Sequence, residues 1–469
     1  MAKRRCEIGM IGLGVMGRNF VLNMADRGYS VAGLDIDRGK VDALRKEAGG
    51  LRVHSTGIIQ EFVSLLHEPR AVMMLVPAGP PVDSVIKDVV SHLKKGDLII
   101  DGGNSYFRDT DRRERSLRKK GIGYLGVGIS GGEHGARYGP SIMPGGSRTA
   151  YDRVRTIFES AAAHIGEEPC VTYLGPGSSG HYVKMVHNGI EYGLLQLIAE
   201  TYDILKRGLG LNNDELHELY KSWNGKELGG YLIEITANIF SYVDEKTGKR
   251  LIDVILDAAR QKGTGMWTSK DALELQVPIP TVDVAVAMRN LSAIDKERRE
   301  ASNVLKGPST KFRGDKKRFI EKLRNALFVS VILTYSQGMN QLRAASRAYK
   351  YNLDLEAVAR IWRGGCIIRA AVLEDIRTAY RAQPDLQNLL FNAYFADAVM
   401  SRQDDLRTVV STAAKLGFPA PALMLSLAYF DSYRSSWLPA NLIQAQRDYF
   451  GAHSYERVDA KGVFHTHWE

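Results

Sequence analysis

Cysteine is scarce, with three in 469 residues: Cys6, Cys170 and Cys366. They stand too far apart for a zinc-ligand spacing or a disulfide framework, so packed thiols are expected, and no metal. Apolar runs long enough to span a bilayer are missing too. Met1-Ala2-Lys3-Arg4-Arg5 leads directly into a strand pattern without the apolar stretch of a secretory signal. A cytoplasmic chain with no membrane partner is expected. Dense basic runs are also rare: the net charge is +10, but Lys and Arg are dispersed and the tightest run, Lys311 to Arg318, is short. That favours a small anionic ligand over nucleic acid.

The chain is 44% hydrophobic and 25% charged, and too long for one ordinary core, so two or three globular domains are expected. Cys6 to Ile11 reads as a short apolar strand running into Gly12-Leu13-Gly14-Val15-Met16-Gly17, then a helical pattern from Asn19 to Arg27. GxGxxG alone is a weak signal. Here it follows a strand, opens a helix and precedes a second strand, Tyr29 to Leu34, that ends in Asp35, which is the dinucleotide-binding arrangement. Gly12 makes the tight turn, Gly14 admits the pyrophosphate and Gly17 lets helix and strand pack.

Further strands at 71–76, 97–101 and 122–127, with a helix at 81–93, extend this into a doubly wound parallel sheet. Asp35, followed by Ile36 and Asp37, offers carboxylates that accept from ribose hydroxyls and repel a 2′-phosphate. That favours NAD over NADP unless Arg38 turns inward. Loops at strand ends add Val76-Pro77-Ala78, Asp101-Gly102-Gly103-Asn104-Ser105 and the segment from Gly128 to Glu133 with Ser130, Gly131 and Gly132. Asn104 is placed to reach both nicotinamide ribose and substrate, and Ser130 with its neighbours suits a carboxylate or phosphate.

The segment from Gly180 to Tyr192 organises the rest. At helical period Lys184, His187, Asn188 and Glu191 share one face, while the flanks are apolar and glycine-bearing. A Lys–Glu face can simply be solvated, but these flanks describe a buried helix, where charged groups need partners or a task such as proton transfer. From Pro176 onward helical patterns dominate, at 183–207, 214–222, 230–242, 251–260, 319–347 and 370–380. Asn188 and its followers resemble Asn325 and its followers, and Trp223 resembles Trp362, at an offset of roughly 140 residues. In that register Lys184 meets Glu321 and Glu191 meets Phe328, so a second copy would keep the helix and lose the chemistry.

GLGVMG (12–17), DGGNS (101–105), GISGGEHGARYGPSIMPGG (128–146), GHYVKMVHNGIEYG (180–193), QKGTGMWT (261–268), WRGGCIIR (362–369) and QRDYFGAH (446–453) together resemble the 6-phosphogluconate dehydrogenases. The resemblance implies a Rossmann-type domain at 1–176, a large all-helical substrate and dimerisation domain at 177–435, and a C-terminal tail at 436–469. It implies metal-free oxidative decarboxylation of 6-phosphogluconate with NAD or NADP. It makes Lys184 the base for the C3 hydroxyl and Glu191 the acid that protonates C1 of the enediol. His187, Asn188, Tyr192, Lys262 and Arg289 become substrate contacts, and Arg447 and His453 grip the phosphate in a neighbouring subunit, hence a homodimer with exchanged tails. To start as a base, Lys184 needs a lowered pKa, expected from burial near other cations.

NADP-using relatives carry Asn-Arg-Thr at 35–37 and Lys at 77, so the departures gather at the adenosine end and favour NAD. Met266 also replaces a family Lys. Competing readings are a related 3-hydroxyacid dehydrogenase, which would not need Arg447 and His453, and a non-catalytic dinucleotide or nucleic-acid binder, which would not need Lys184 and Glu191.

Overall fold

The computed structural model describes residues 5–309 and 311–468; the leaderless start read at Met1–Arg4 lies outside the described residues. Strand β1 (Ile8–Ile11) is apolar on both faces and fully buried, as a central parallel strand covered by helices must be. It pairs in parallel with β2 (Val31–Leu34) on one side and β4 (Ala71–Met74) on the other. With β3 (Val53–Thr56), β5 (Leu98–Asp101), β6 (Gly123–Ser130) and β7 (Ser141–Gly146) the sheet order is β3-β2-β1-β4-β5-β6-β7. The order reverses between β1 and β4, which opens a crevice at their carboxyl ends.

Three features of this half differ from the sequence reading. The partly exposed β3 was not anticipated, because Val53-His54-Ser55-Thr56 has little apolar signal at a sheet edge. β7 runs antiparallel to β6, Gly128, Ile129 and Ser130 belong to the β6 strand, and only Gly131 turns the chain, into a short helix at Gly132–Tyr138. Helix α1 (Val15–Asp26) begins directly after Gly14, earlier than the apolar period suggested. A Cβ on Gly17 would lie 1.9 Å from the Gly12 carbonyl oxygen, which is why helix and strand can pack so closely there. Helix α2 (Arg38–Ala48) is capped by Asp37, whose side chain accepts from the Gly39 N–H.

The helical half is built on two long helices, Ser179–Asp203 and Lys316–Ala348. They pack together: a Cβ on Gly338 would meet the Ile190 side chain at 2.5 Å, and one on Gly193 would meet Thr334 at 2.8 Å. The segments at 229–231 and 369–371 exchange backbone hydrogen bonds, Tyr231 N–H to the Arg369 carbonyl and Ala371 N–H to that of Gly229. The helix expected over 251–260 is instead a single 3-10 turn, Leu251–Asp253, followed by irregular chain. Its leucines and isoleucines stay largely outside: Ile255 and Leu256 are exposed, so they form no buried stripe. No described helix is long and apolar enough to cross a membrane.

Every residue of the first long helix from Ser179 to Ile190 is buried. Glycines make this possible. A Cβ on Gly180 would stand 2.3 Å from the carbonyl oxygens of Gly126 and Met143, and one on Gly128 would stand 2.3 Å from Lys184 Cβ. The helix therefore lies against β6 and β7 at backbone distance. His181 ties it to the end of β5, with Nε2 3.0 Å from the Asp101 carbonyl oxygen and Nδ1 2.6 Å from Thr110 Oγ1.

The last segment is a helix, Ala440–Gly451, and a short hairpin rather than loose chain. Buried Asp448 holds it together, accepting from Ser454 N–H, Thr466 N–H and Trp468 Nε1 at 2.8, 3.0 and 2.9 Å and lying 2.9 Å from His465 Nδ1. Around that carboxylate the large apolar side chains Leu442, Ile443 and Phe450 face outward.

A Gly180→Ala variant should lose about 1–3 kcal/mol of stability by overpacking, read as a lowered Tm. An unchanged Tm would mean that the backbone contact of the long helix with β6 and β7 is slack.

Candidate active site

At the crevice between β1 and β4 the glycine-rich turn does what its spacing predicts. Gly12 has φ +94°, and a Cβ there would lie 2.6 Å from the Leu75 carbonyl oxygen. A Cβ on Gly14 would meet nothing within 4 Å, so it would project into open space at the N-terminus of α1, where a pyrophosphate is accepted. The crevice has a volume of about 860 Å³ and is lined by Gly12, Gly14, Asp35, Ile36, Val76 and Pro77 among the anticipated residues. A dinucleotide fits this donor set and shape.

Leu13 acts through its backbone, donating to Asp35 Oδ2 at 2.7 Å, and Asp35 Oδ1 accepts from Asp37 N–H at 2.9 Å. Val15 and Met16 form the first turn of α1 and Gly17 packs beneath it. Asp37 is engaged as a helix cap and Ala78 is half-buried. Arg38 is exposed and does not line the crevice; the cation that does is Lys40, which sequence reasoning missed. Asn104 is exposed beyond β5, on a loop held by Asp101, whose side chain accepts from Gly103 N–H, Ser105 Oγ and Tyr124 OH.

The long buried helix brings four anticipated side chains together. Lys184 is 6% exposed, and its Nζ donates to Asn188 Oδ1 at 2.9 Å and lies 3.4 Å from His187 Nδ1. Asn188 Oδ1 is also 3.1 Å from His187 Nδ1, so that nitrogen carries the proton. His187 Nε2 then accepts from Ser130 Oγ at 3.1 Å, and Ser130 Oγ accepts from Ile367 N–H at 3.3 Å. On the other side Asn188 Nδ2 donates to Thr264 Oγ1 at 3.2 Å. Thr264 was not singled out from the sequence, though its place between Gly263 and Gly265 in a quoted motif was a signal. Glu191 Oε2 reaches within 4.0 Å of His187 Nδ1 and keeps a 22% exposed side chain at the open edge of the cluster.

The electrostatics separate the two ends of this face. Burial pushes the Lys184 pKa down; the nearby Glu191 carboxylate works in the opposite direction and loses. Of the expected burial near other cations, the burial is the cause, and the cations are corrected: the charge acting on the amine is the opposing Glu191 carboxylate. Burial raises the Glu191 pKa against the pull of Lys184 and Arg289. His187 is held well below its ordinary value by burial and then by Lys184, consistent with a neutral ring. Cys366, beside Lys184, has its thiol pushed up to about 12 by burial and stays protonated. An amine made easier to deprotonate and a carboxyl made easier to protonate, two helical turns apart, form an acid–base pair.

Around them, the Arg289 guanidinium lies 3.6 Å from the centre of the buried Tyr192 ring, at its face, and its charge reaches Glu191. Lys262 is exposed in the turn before the helix Thr264–Glu274. Gly131, with φ +110°, and Gly132 continue from Ser130. Arg447 and His453 are exposed on the tail, where Arg447 Nη1 donates to Gln444 Oε1 at 3.0 Å.

Fold and site define a Rossmann-type dinucleotide-binding protein whose helical half presents a buried amine and a carboxyl on one face. Comparison with known proteins narrows this. Residues 7–175 match the family model of the NAD binding domain of 6-phosphogluconate dehydrogenase, and residues 180–468 that of the 6-phosphogluconate dehydrogenase C-terminal domain. The chain is 52% identical over 463 residues to the NADP(+)-dependent, decarboxylating 6-phosphogluconate dehydrogenase of Bacillus subtilis, covering 98% of this chain and 99% of that one. It is likewise 52% identical over 466 residues to the decarboxylating 6-phosphogluconate dehydrogenase of Synechococcus elongatus, covering 98% and 99%. A Plasmodium falciparum 6-phosphogluconate dehydrogenase, solved in apo form and in complex with NADP+ and with 6-phosphogluconate, superposes with a TM-score of 0.94 at 44% identity, covering 99% of this chain and 100% of that one. This chain belongs to the 6-phosphogluconate dehydrogenase family.

Thr264→Val should leave Asn188 free to turn its amide and so weaken the support of Lys184. We expect kcat to fall by about tenfold or more, the cost of one lost positioning bond, with the fold intact by circular dichroism. Unchanged kcat would show that Thr264 does not orient Asn188.

Proposed function

We propose that this chain oxidises 6-phosphogluconate at C3 and releases C1 as carbon dioxide, leaving ribulose 5-phosphate, the decarboxylating step of the pentose phosphate pathway. The observation that carries the reading is the Lys184–Glu191 pair, one pKa lowered and the other raised on a single buried helix face. When bound, the nicotinamide supplies the hydride acceptor.

Neutral Lys184 takes the C3 hydroxyl proton as that carbon is oxidised. The resulting ammonium then faces the C3 carbonyl oxygen and stabilises the charge that develops there as C1 leaves. Asn188 and His187 hold the amine in place, and Ser130 with Gly131 and Gly132 receives the substrate carboxylate. Protonated Glu191 gives its proton to C1 of the enediol. Tyr192, Lys262 and Arg289 bind the phosphate end, and Asn104 spans cofactor and sugar.

For the tail we propose exchange between two subunits of a homodimer, with Arg447 and His453 of each completing the phosphate site of the other. Support comes from the outward Leu442, Ile443 and Phe450 on a segment folded around a single buried carboxylate. The cofactor we assign is NAD. Asp35 lines the adenosine end, Asp37 follows two residues on, and among the described residues no guanidinium lines the crevice, although the Bacillus subtilis relative is NADP(+)-dependent. We place the chain in the cytoplasm, with its substrate.

Incubation with 6-phosphogluconate and NAD should yield carbon dioxide and reduced cofactor in equal amounts; a 3-keto product with its carboxylate retained would contradict the assignment. Glu191→Gln should cost about 10²–10⁴ in kcat, the range for losing a general acid. It should also abolish the alkaline limb of the rate profile, because that limb reports loss of the Glu191 proton. A persisting limb would reassign the acid. Arg447→Ala should raise KM far more than it lowers kcat, and an unchanged KM would remove the tail from the site.

A further inference from the structure

The adenosine end of the crevice holds a cation unexplained by either the glycine turn or the strand-end carboxylate. Lys40, on the first turn of α2, lines the crevice with Asp35 and Ile36. Its Nζ lies 3.7 Å from Asp35 Oδ1 and 3.8 Å from Asp37 Oδ2, and the side chain is 44% exposed. These separations exceed a direct hydrogen bond, so the ammonium sits between two carboxylates without being locked to either.

The two acids are not equivalent. Asp35 has one oxygen on Leu13 N–H and the other on Asp37 N–H, so it is fixed by backbone. Asp37 uses Oδ1 to cap α2 and turns Oδ2 to Lys40. Only the charge of Asp37 is dispensable to the local fold, because a neutral amide oxygen caps a helix as well as a carboxylate does.

We propose that Lys40 sets the discrimination between NAD and NADP, and that Asp37 restrains it. With Asp37 ionised, two carboxylates outweigh one ammonium and a 2′-phosphate meets net negative charge. With Asp37 neutral, one carboxylate balances one ammonium, and the long flexible stem of Lys40 lets it turn to the phosphate. An exposed pair of this kind is weak, so a dianion can compete for the lysine. The proposal rests on NAD being the favoured cofactor, but its test does not.

Dissociation constants of NAD and NADP are to be measured by calorimetry on the full-length wild type, Asp37→Asn, Lys40→Met and the double variant, each checked for an unchanged Tm. Asp37→Asn should shift the affinity ratio toward NADP by at least about fivefold, and adding Lys40→Met should erase that shift. A shift that survives in the double variant would mean that Asp37 acts by its own repulsion, and no shift in Asp37→Asn would mean that Lys40 is not restrained; either overturns the proposal. A wild type that binds NADP more tightly than NAD would instead refute the cofactor assignment, while the dependence of the shift on Lys40 stays readable.

Discussion

Taking a lysine ammonium out of water costs several kcal/mol unless a partner repays it or the proton is given up. Lys184 is set among Asn188, His187 and the thiol of Cys366, groups that are neutral or held neutral, with a single carboxylate at the cluster edge. That is too little countercharge to keep the ammonium as stable as in water. The amine is biased toward the neutral form, and the helix that carries it is biased in turn toward a backbone contact that excludes solvent. Gly128 and Gly180 are the means: side chains at either position would hold helix and sheet apart and admit water to the lysine.

The hydrogen bonds around the amine have a direction. The Ile367 N–H donates to Ser130, Ser130 to His187, His187 to Asn188, and Asn188 through its other end to Thr264. Lys184 Nζ, donating to Asn188 Oδ1, turns that amide oxygen toward His187 Nδ1, and an acceptor there settles the tautomer of the ring. The Ser130 link ties β6 to the buried helix, and the Ile367 link ties both to the segment after Trp362. Parts distant in sequence are committed to one proton arrangement.

Much of this was legible beforehand, and the limits are physical. The turn at 12–17 was readable because glycine spacing reports backbone conformation directly. The buried face was readable because charged groups at 184 and 191 sit among apolar flanks. The antiparallel β7 was not, since strand direction is decided by pairing partners and not by composition. The supposed helix at 251–260 failed because a run of apolar residues carries no information on whether a core lies beside it. Lys40 was missed because attention at a strand end falls on the carboxylate, whereas a side chain one helical turn later reaches the same space. The burial of Lys184 was legible from its apolar flanks, but the charge that acts on the amine is the Glu191 carboxylate and not the cations expected beside it.

The central claim is that Lys184 is neutral in the resting protein far more often than an ordinary lysine. The direct measurement is a pH titration of the Lys184 side-chain nitrogen by NMR in protein labelled with 15N-lysine, assigned by comparison with Lys184→Met. The account predicts a midpoint clearly below the ordinary lysine value of about 10.4. A midpoint at or above it would show that the amine is a conventional ammonium, and the acid–base reading of this helix would fall.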